Sequence, residues 1–127
     1  MLYTIGHSNC GFSEFLKKLK ENKINILVDV RTFPRSRFCP HFNKKSFEEK
    51  LVTENIQYLF RGKNLGGMGL NIKYEETIDE VFYLSKENNV CLMCSEKNYK
   101  ECHRYSLLTP SFEKRGLLVK HIAYKKG

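Results

Sequence analysis

The sequence predicts an α/β protein: about five strands in a mostly parallel sheet with helices on both faces, folded as a single domain over residues 1–127. Three observations carry this reading. Short apolar runs alternate with longer amphipathic stretches, the pattern of βα units. The run Ile26-Leu-Val-Asp-Val30 is too uniformly apolar for a half-exposed antiparallel strand and suits a buried parallel one. A chain of 127 residues fits one domain and can bury about two thirds of its unfolded surface without disulfide or metal staples.

Each element follows from its own residues. Leu2 to Ile5 reads as the first strand. Ser13 has the character of a helix N-cap, with Phe12 before it and Phe15, Leu16 and Leu19 forming the stripe that faces inward. Ile26 to Val30 is the second strand. Ser46-Phe-Glu-Glu49 has the form of a capping box, opening a helix that carries Phe47 and Leu51 inward and ends near Asn55. Ile56 to Phe60 is the third strand. The glycine-rich stretch Arg61-Gly-Lys-Asn-Leu-Gly-Gly-Met-Gly69 reads as a loop. Glu75 to Asn88 places Ile78, Val81, Phe82 and Leu84 at helical spacing, and Val90-Cys-Leu-Met-Cys94 is the fourth strand. A further helix is expected from near Cys102, with Leu107, Leu108 and Phe112 packing, bent or split at Pro110 and ending before Gly116. Leu118 to Tyr124 closes the series. Strands joined through helices pair in parallel, because each crossover returns the chain to the same starting end. The fifth strand leaves an antiparallel edge open as an alternative.

The formal net charge is +8, from 22 Lys and Arg against 14 Asp and Glu. Such a balance attracts polyanions without selecting among them, and it suits an ordinary lysine-rich solvated surface equally well. Nine Phe, seven Tyr and no Trp are the composition of a globular protein. The first residues lack the basic and apolar regions of a signal peptide, and no 18 consecutive residues are apolar enough to span a membrane. Five cysteines, an odd number, then read as reduced thiols in a cytoplasmic protein.

In open α/β sheets, ligands bind outside the carboxyl ends of the strands. His7 follows the first strand. Asp29 and Arg31 end the second, Arg61 and the glycine loop follow the third, and Cys94 and Glu96 follow the fourth. Asp29 sits inside an apolar strand, where burial disfavours a carboxylate unless a cation holds it. Arg31, two positions on, points the same way and is its natural partner. The pair reads either as a structural ion pair fixing the loop or functionally, with Asp29 as a general base or a sugar-hydroxyl acceptor.

The segment from Arg31 to Lys45 holds five basic residues and no acid, interleaved with Phe33, Phe38 and Phe42. Cations beside stacking rings are the ingredients of nucleotide or single-strand recognition; an ordinary charged loop with core-facing phenylalanines fits too. Cys94, between a buried strand and a helix, is placed as a nucleophile or as an inert core thiol. A rhodanese or phosphatase loop fits poorly, since the first Arg after Cys94 is Arg104. Cys91 and Cys94 have CxxC spacing but point to opposite faces of a strand. No metal is expected; if one were held, Cys94, Cys102 and His103 would be its ligands. Gly66 and Gly67 permit tight turns, and no Walker or dinucleotide motif accompanies them, so no cofactor is implied.

Taken together, Thr4-Ile-Gly-His-Ser8, Leu27-Val-Asp-Val-Arg31, Pro34-Arg-Ser-Arg37, Leu65-Gly-Gly67, Leu92-Met-Cys-Ser-Glu96 and Cys102-His-Arg104 resemble the family called domain of unknown function 488. That family shows Cys-Ala-Glu where this chain has Cys94-Ser-Glu96. The resemblance runs from Tyr3 to about Ile122. It implies a compact α/β fold, and it implies that His7, Asp29, Arg31, Ser36, Arg37, Cys94, Glu96, Cys102, His103 and Arg104 are defining positions. It supplies no reaction.

The leading expectation is an enzyme acting on a phosphate-bearing substrate, a nucleotide or nucleic acid. Asp29, Glu96, His7 and Cys94 are the catalytic candidates. Arg31, Arg35, Ser36, Arg37, Gly66, Gly67, His103 and Arg104 are the candidates for holding phosphate or substrate. The alternatives are a non-catalytic nucleic-acid-binding module built on residues 31–45, and sulfur transfer or thiol redox chemistry through Cys94.

Overall fold

The structure is a computed structural model and describes residues 1–7, 11–34, 39–67, 71–94, 103 and 107–124. Five strands, β1 (Leu2–Gly6), β2 (Ile26–Asp29), β3 (Gln57–Phe60), β4 (Val90–Cys94) and β5 (Val119–His121), form one sheet in the order β3-β2-β4-β1-β5. Every pairing is parallel, so the fifth strand is a parallel edge and the antiparallel alternative is not realised. That edge is also shorter than its apolar run suggests, and Leu118 before it lies largely in solvent.

The helices are α1 (Phe12–Glu21), α2 (Lys44–Thr53), α3 (Gly62–Leu65), α4 (Tyr74–Glu87) and α5 (Thr109–Glu113). Strand alternation divides the core in two. On one face Tyr3, Ile5, Leu27, Tyr58, Cys91 and Met93 pack against Phe15 and Leu19 of α1 and Phe47 and Leu51 of α2. On the other, Leu2, Ile26, Val28, Leu92 and Cys94 pack against Ile78 and Val81 of α4 and Phe112 of α5. Each fully buried Phe or Leu stabilises the fold by about 1.5–3 kcal/mol relative to exposure.

Three local expectations are corrected. Helix α1 begins at Phe12, with Gly11 as its N-cap, so Ser13 lies inside the first turn. Helix α2 begins at Lys44 with Asn43 as N-cap, two residues before the capping box. The Ser46 hydroxyl instead donates to the carbonyls of Pro40 and Asn43, tying the helix to the short 3-10 turn Pro40–Phe42. The glycine-rich stretch contains helix α3, because the amides of Asn64 and Leu65 both donate to Arg61 O while Leu65 seats in the core. Pro110 lies in the first turn of α5, where a missing N–H is tolerated; the expected start near Cys102 lies outside the described residues. Among the described residues, no helix is long and apolar enough to cross a membrane.

Candidate functional site

Strands β1 and β2 lead into helices on one face of the sheet, whereas β3 and β4 lead to helices on the other. Neighbouring strands therefore send their chains apart at the carboxyl edge, the arrangement at which open α/β sheets bind ligands. The edge is knit by backbone bonds: His7 N to Cys94 O at 3.0 Å, Val30 N to Met93 O at 3.0 Å, and Arg61 N to Asp29 O at 2.9 Å. Tyr124 donates from its buried phenol to Gly6 O, immediately before His7.

Asp29 and Arg31 form the electrostatic centre of this edge. Asp29 is 0% exposed and Arg31 4%. The Arg31 fork is two-pronged, with Nε 2.9 Å from Oδ1 and Nη2 2.7 Å from Oδ2. The Arg31 backbone amide adds a third bond to Oδ1 at 3.1 Å. From the adjacent strand, the Tyr58 phenol donates to Oδ2 at 2.6 Å. A carboxylate offers about four lone-pair positions, and all four are engaged. Asp29 thus anchors Arg31 through both of its carboxylate oxygens. Burial, and next the adjacent carboxylate, push the Tyr58 phenol well above its ordinary 10.0, so Tyr58 is a permanent donor.

Rings surround the pair. Phe47 lies 5.9 Å beneath the Arg31 guanidinium carbon and meets Tyr58 edge-on at 5.8 Å. Phe42 packs on Phe47 at 5.5 Å, and the His7 ring stacks on Phe42 at 4.4 Å. One continuous aromatic cluster therefore joins His7 to Arg31 on a single face. Within it, Arg31 Nη1 is buried and has no hydrogen-bond partner among the described residues.

The family model described as Domain of unknown function DUF488 matches residues 11–71. The chain resembles the DUF488 family. No curated protein and no solved structure matches it. The DUF488 match takes in Asp29, Arg31, Tyr58, Gly66 and Gly67, while His7 and Cys94 fall outside it.

The remaining candidates divide by position. Cys94 reaches the same edge but packs on the opposite face, with Val28, Val30 and Leu65; it is brought near the Asp29–Arg31 pair in the backbone and not in its side chain. Cys94 is also disulfide-bonded, which corrects the expectation that all five cysteines are thiols. Cys39 and Cys91 are buried thiols, and Cys91 faces away from Cys94 as CxxC spacing on a strand requires.

Both glycines sit where neighbouring atoms approach closely, backbone and side chain at Gly66 and the His103 side chain at Gly67. A Cβ on Gly66 would lie 2.3 Å from both Gly62 O and Thr32 Oγ1, and one on Gly67 would lie 2.9 Å from His103 Nδ1. The Gly66 amide donates to Asn71 Oδ1 at 2.9 Å. His103 holds Leu65 O at 2.9 Å. Arg61 turns away from the edge onto Glu80 of α4, with both prongs at 2.9 Å.

Within the basic segment, Phe42 is a core residue whereas Phe33 is 59% exposed, so the two interleaved rings have different duties. Arg35, Ser36, Arg37, Glu96, Cys102 and Arg104 lie outside the described residues. Among the described residues, no three His, Cys, Asp or Glu side chains gather to hold a metal. Of the DUF488-matched residues, sequence reasoning missed Tyr58. Its signal was present, since a tyrosine in a buried strand needs a partner for its hydroxyl, and Asp29 on a neighbouring strand was the available acceptor.

Proposed function

We propose that the protein recognises a phosphate-bearing ligand, a nucleotide or nucleic acid, at the carboxyl edge of its sheet, with Arg31 as the anion-binding group, and that it acts on this ligand as an enzyme. The observation that carries the reading is the Arg31 guanidinium: buried, held on one side by a two-pronged bond to Asp29, and with Nη1 unspent. A guanidinium whose plane is fixed beforehand loses little freedom when it meets a phosphate, and its geometry suits two-point contact with oxyanions. Arg35 and Arg37 follow within the same basic segment, and a net charge of +8 favours the approach of a polyanion. With Asp29 committed to Arg31, His7 and Glu96 are the groups for proton transfer.

The test is thermal unfolding against inorganic phosphate, mononucleotides, and short single- and double-stranded DNA and RNA, at low and high salt. A ligand at a hundred times its dissociation constant adds about 2.7 kcal/mol. Salt-resistant stabilisation by one nucleotide, reduced in Arg31→Lys, supports the reading. Absence of stabilisation by every probe refutes it. Arg31→Lys is preferable to Arg31→Ala, which would leave Asp29 buried without a counter-charge.

A second reading, thiol–disulfide exchange, is favoured by the disulfide at Cys94. An external thiolate would attack one sulfur, the S–S bond would break, and the second cysteine would leave as thiolate. Reduction with a dithiol followed by alkylation under native conditions checks it: labelling of Cys94 supports the exchange, and an unlabelled Cys94 rejects it.

A further inference from the structure

We propose that Tyr58 is a positioning residue for the anion site: its phenol takes one lone pair of Asp29 Oδ2 and thereby dictates how the carboxylate grips Arg31, leaving Nη1 turned outward from the ion pair. The inference rests on the phosphate reading above. The carboxylate has two oxygens and must serve donors from two strands. On Oδ1 it takes Arg31 N and Nε, and on Oδ2 it takes Arg31 Nη2 at 2.7 Å and Tyr58 at 2.6 Å. With Tyr58 on Oδ2, the four positions are filled through the Nε and Nη2 edge of the guanidinium. Nη1 is then the nitrogen left over.

Remove the phenol and one position on Oδ2 falls open. The guanidinium can then swing to offer Nη1 to Asp29, which withdraws it from a ligand. Phe47 braces both partners, edge-on to Tyr58 at 5.8 Å and 5.9 Å from the Arg31 guanidinium carbon, so the ring of Tyr58 can be kept while its hydroxyl is deleted. If Tyr58 merely satisfied its own buried hydroxyl, the orientation of Arg31 would not depend on it.

The experiment compares wild type with Tyr58→Phe by two readouts. The first is the Arg31 Nε–H resonance in nitrogen-15 spectra, which needs no ligand. The second is affinity for inorganic phosphate and adenosine monophosphate. In wild type the Nε–H signal should be sharp and slow to exchange with solvent; in Tyr58→Phe it should broaden and exchange faster, with anion affinity falling about tenfold, as for withdrawal of one charge-assisted hydrogen bond. An unchanged signal and unchanged affinity in the variant overturn the proposal. A fast-exchanging Arg31 signal in the wild type overturns it without any variant, which covers the case where Tyr58→Phe does not fold. Failure of wild type to bind either anion overturns the phosphate reading, and the guanidinium signal alone then decides whether Tyr58 positions Arg31.

Discussion

Asp29 and Arg31 stand two residues apart and close a two-pronged ion pair, 2.9 Å from Nε to Oδ1 and 2.7 Å from Nη2 to Oδ2, with both side chains almost wholly removed from solvent. Removing one member of a buried pair leaves the other as an uncompensated charge, and that costs about 3–5 kcal/mol. Asp29→Ala should lower stability by this amount in chemical denaturation. The double change Asp29→Leu with Arg31→Met should recover most of the loss, since well-packed apolar replacements are often neutral. A double variant as unstable as the single would show that this pair stabilises beyond its own charge balance.

Alkaline stability should depend on Tyr58. Its folded phenol titrates above the ordinary 10.0, so the unfolded chain releases this proton first. The contribution is fully present below that value and is lost as pH rises beyond it toward the folded value. Denaturant midpoints measured between about pH 9 and 11 should fall more steeply for wild type than for Tyr58→Phe. Parallel curves would count against a buried, carboxylate-bonded phenol.

At the acid end the reporter is Glu80. The Arg61 fork holds its carboxyl below the ordinary 4.5, against a smaller opposing effect of partial burial. A depressed carboxyl contributes stability above its unfolded value and loses it as pH falls through the folded one. Glu80→Gln should therefore be slightly less stable than wild type at neutral pH and converge with it in acid. The pair is partly exposed, so the difference should also shrink in high salt. Divergence of the two curves in acid would contradict the assignment.

Gly62 should tolerate no side chain. A Cβ there would lie 1.9 Å from Arg31 O and 2.7 Å from the Phe60 ring, and that carbonyl cannot move without shifting Arg31 itself. Gly62→Ala should cost at least about 1–3 kcal/mol and weaken anion binding with it. Gly11→Ala is the control, since nothing lies within 4 Å of its added Cβ. Equal thermal midpoints for the two variants would refute the packing argument.

Much of this was legible in the residues themselves. The strands announce themselves as short apolar runs because a parallel sheet buried on both faces tolerates few polar positions, and Val90–Cys94 is recovered to the residue. The Asp29–Arg31 pair was legible because an acid inside such a run demands a cation on the same face. Helix starts were less so: Ser46 and Glu49 satisfy the pattern of a capping box, yet the 3-10 turn at Pro40–Phe42 sets the first turn of α2 at Lys44 instead. The saturation of Asp29 was hidden for a different reason. It depends on Tyr58, 29 residues away, meeting it across the β2–β3 register. Likewise no local pattern distinguishes a glycine that cradles phosphate from one, such as Gly66, that lets two backbones touch.

The strand order has a consequence for how the molecule comes into being. Leu2 is hydrogen-bonded in register only with strands that carry Val90 and Val119, so β1 has no seat while the intervening chain is still being made. The β2–β3 pair, by contrast, can form early and locally. At about 5–20 residues per second on the ribosome, the first strand waits several seconds for its neighbours. His7 at its end reaches the edge shared with Arg31 only after β4 has threaded between β1 and β2. The joining of His7 to the Asp29–Arg31–Tyr58 cluster thus depends on the most distant contacts in the chain.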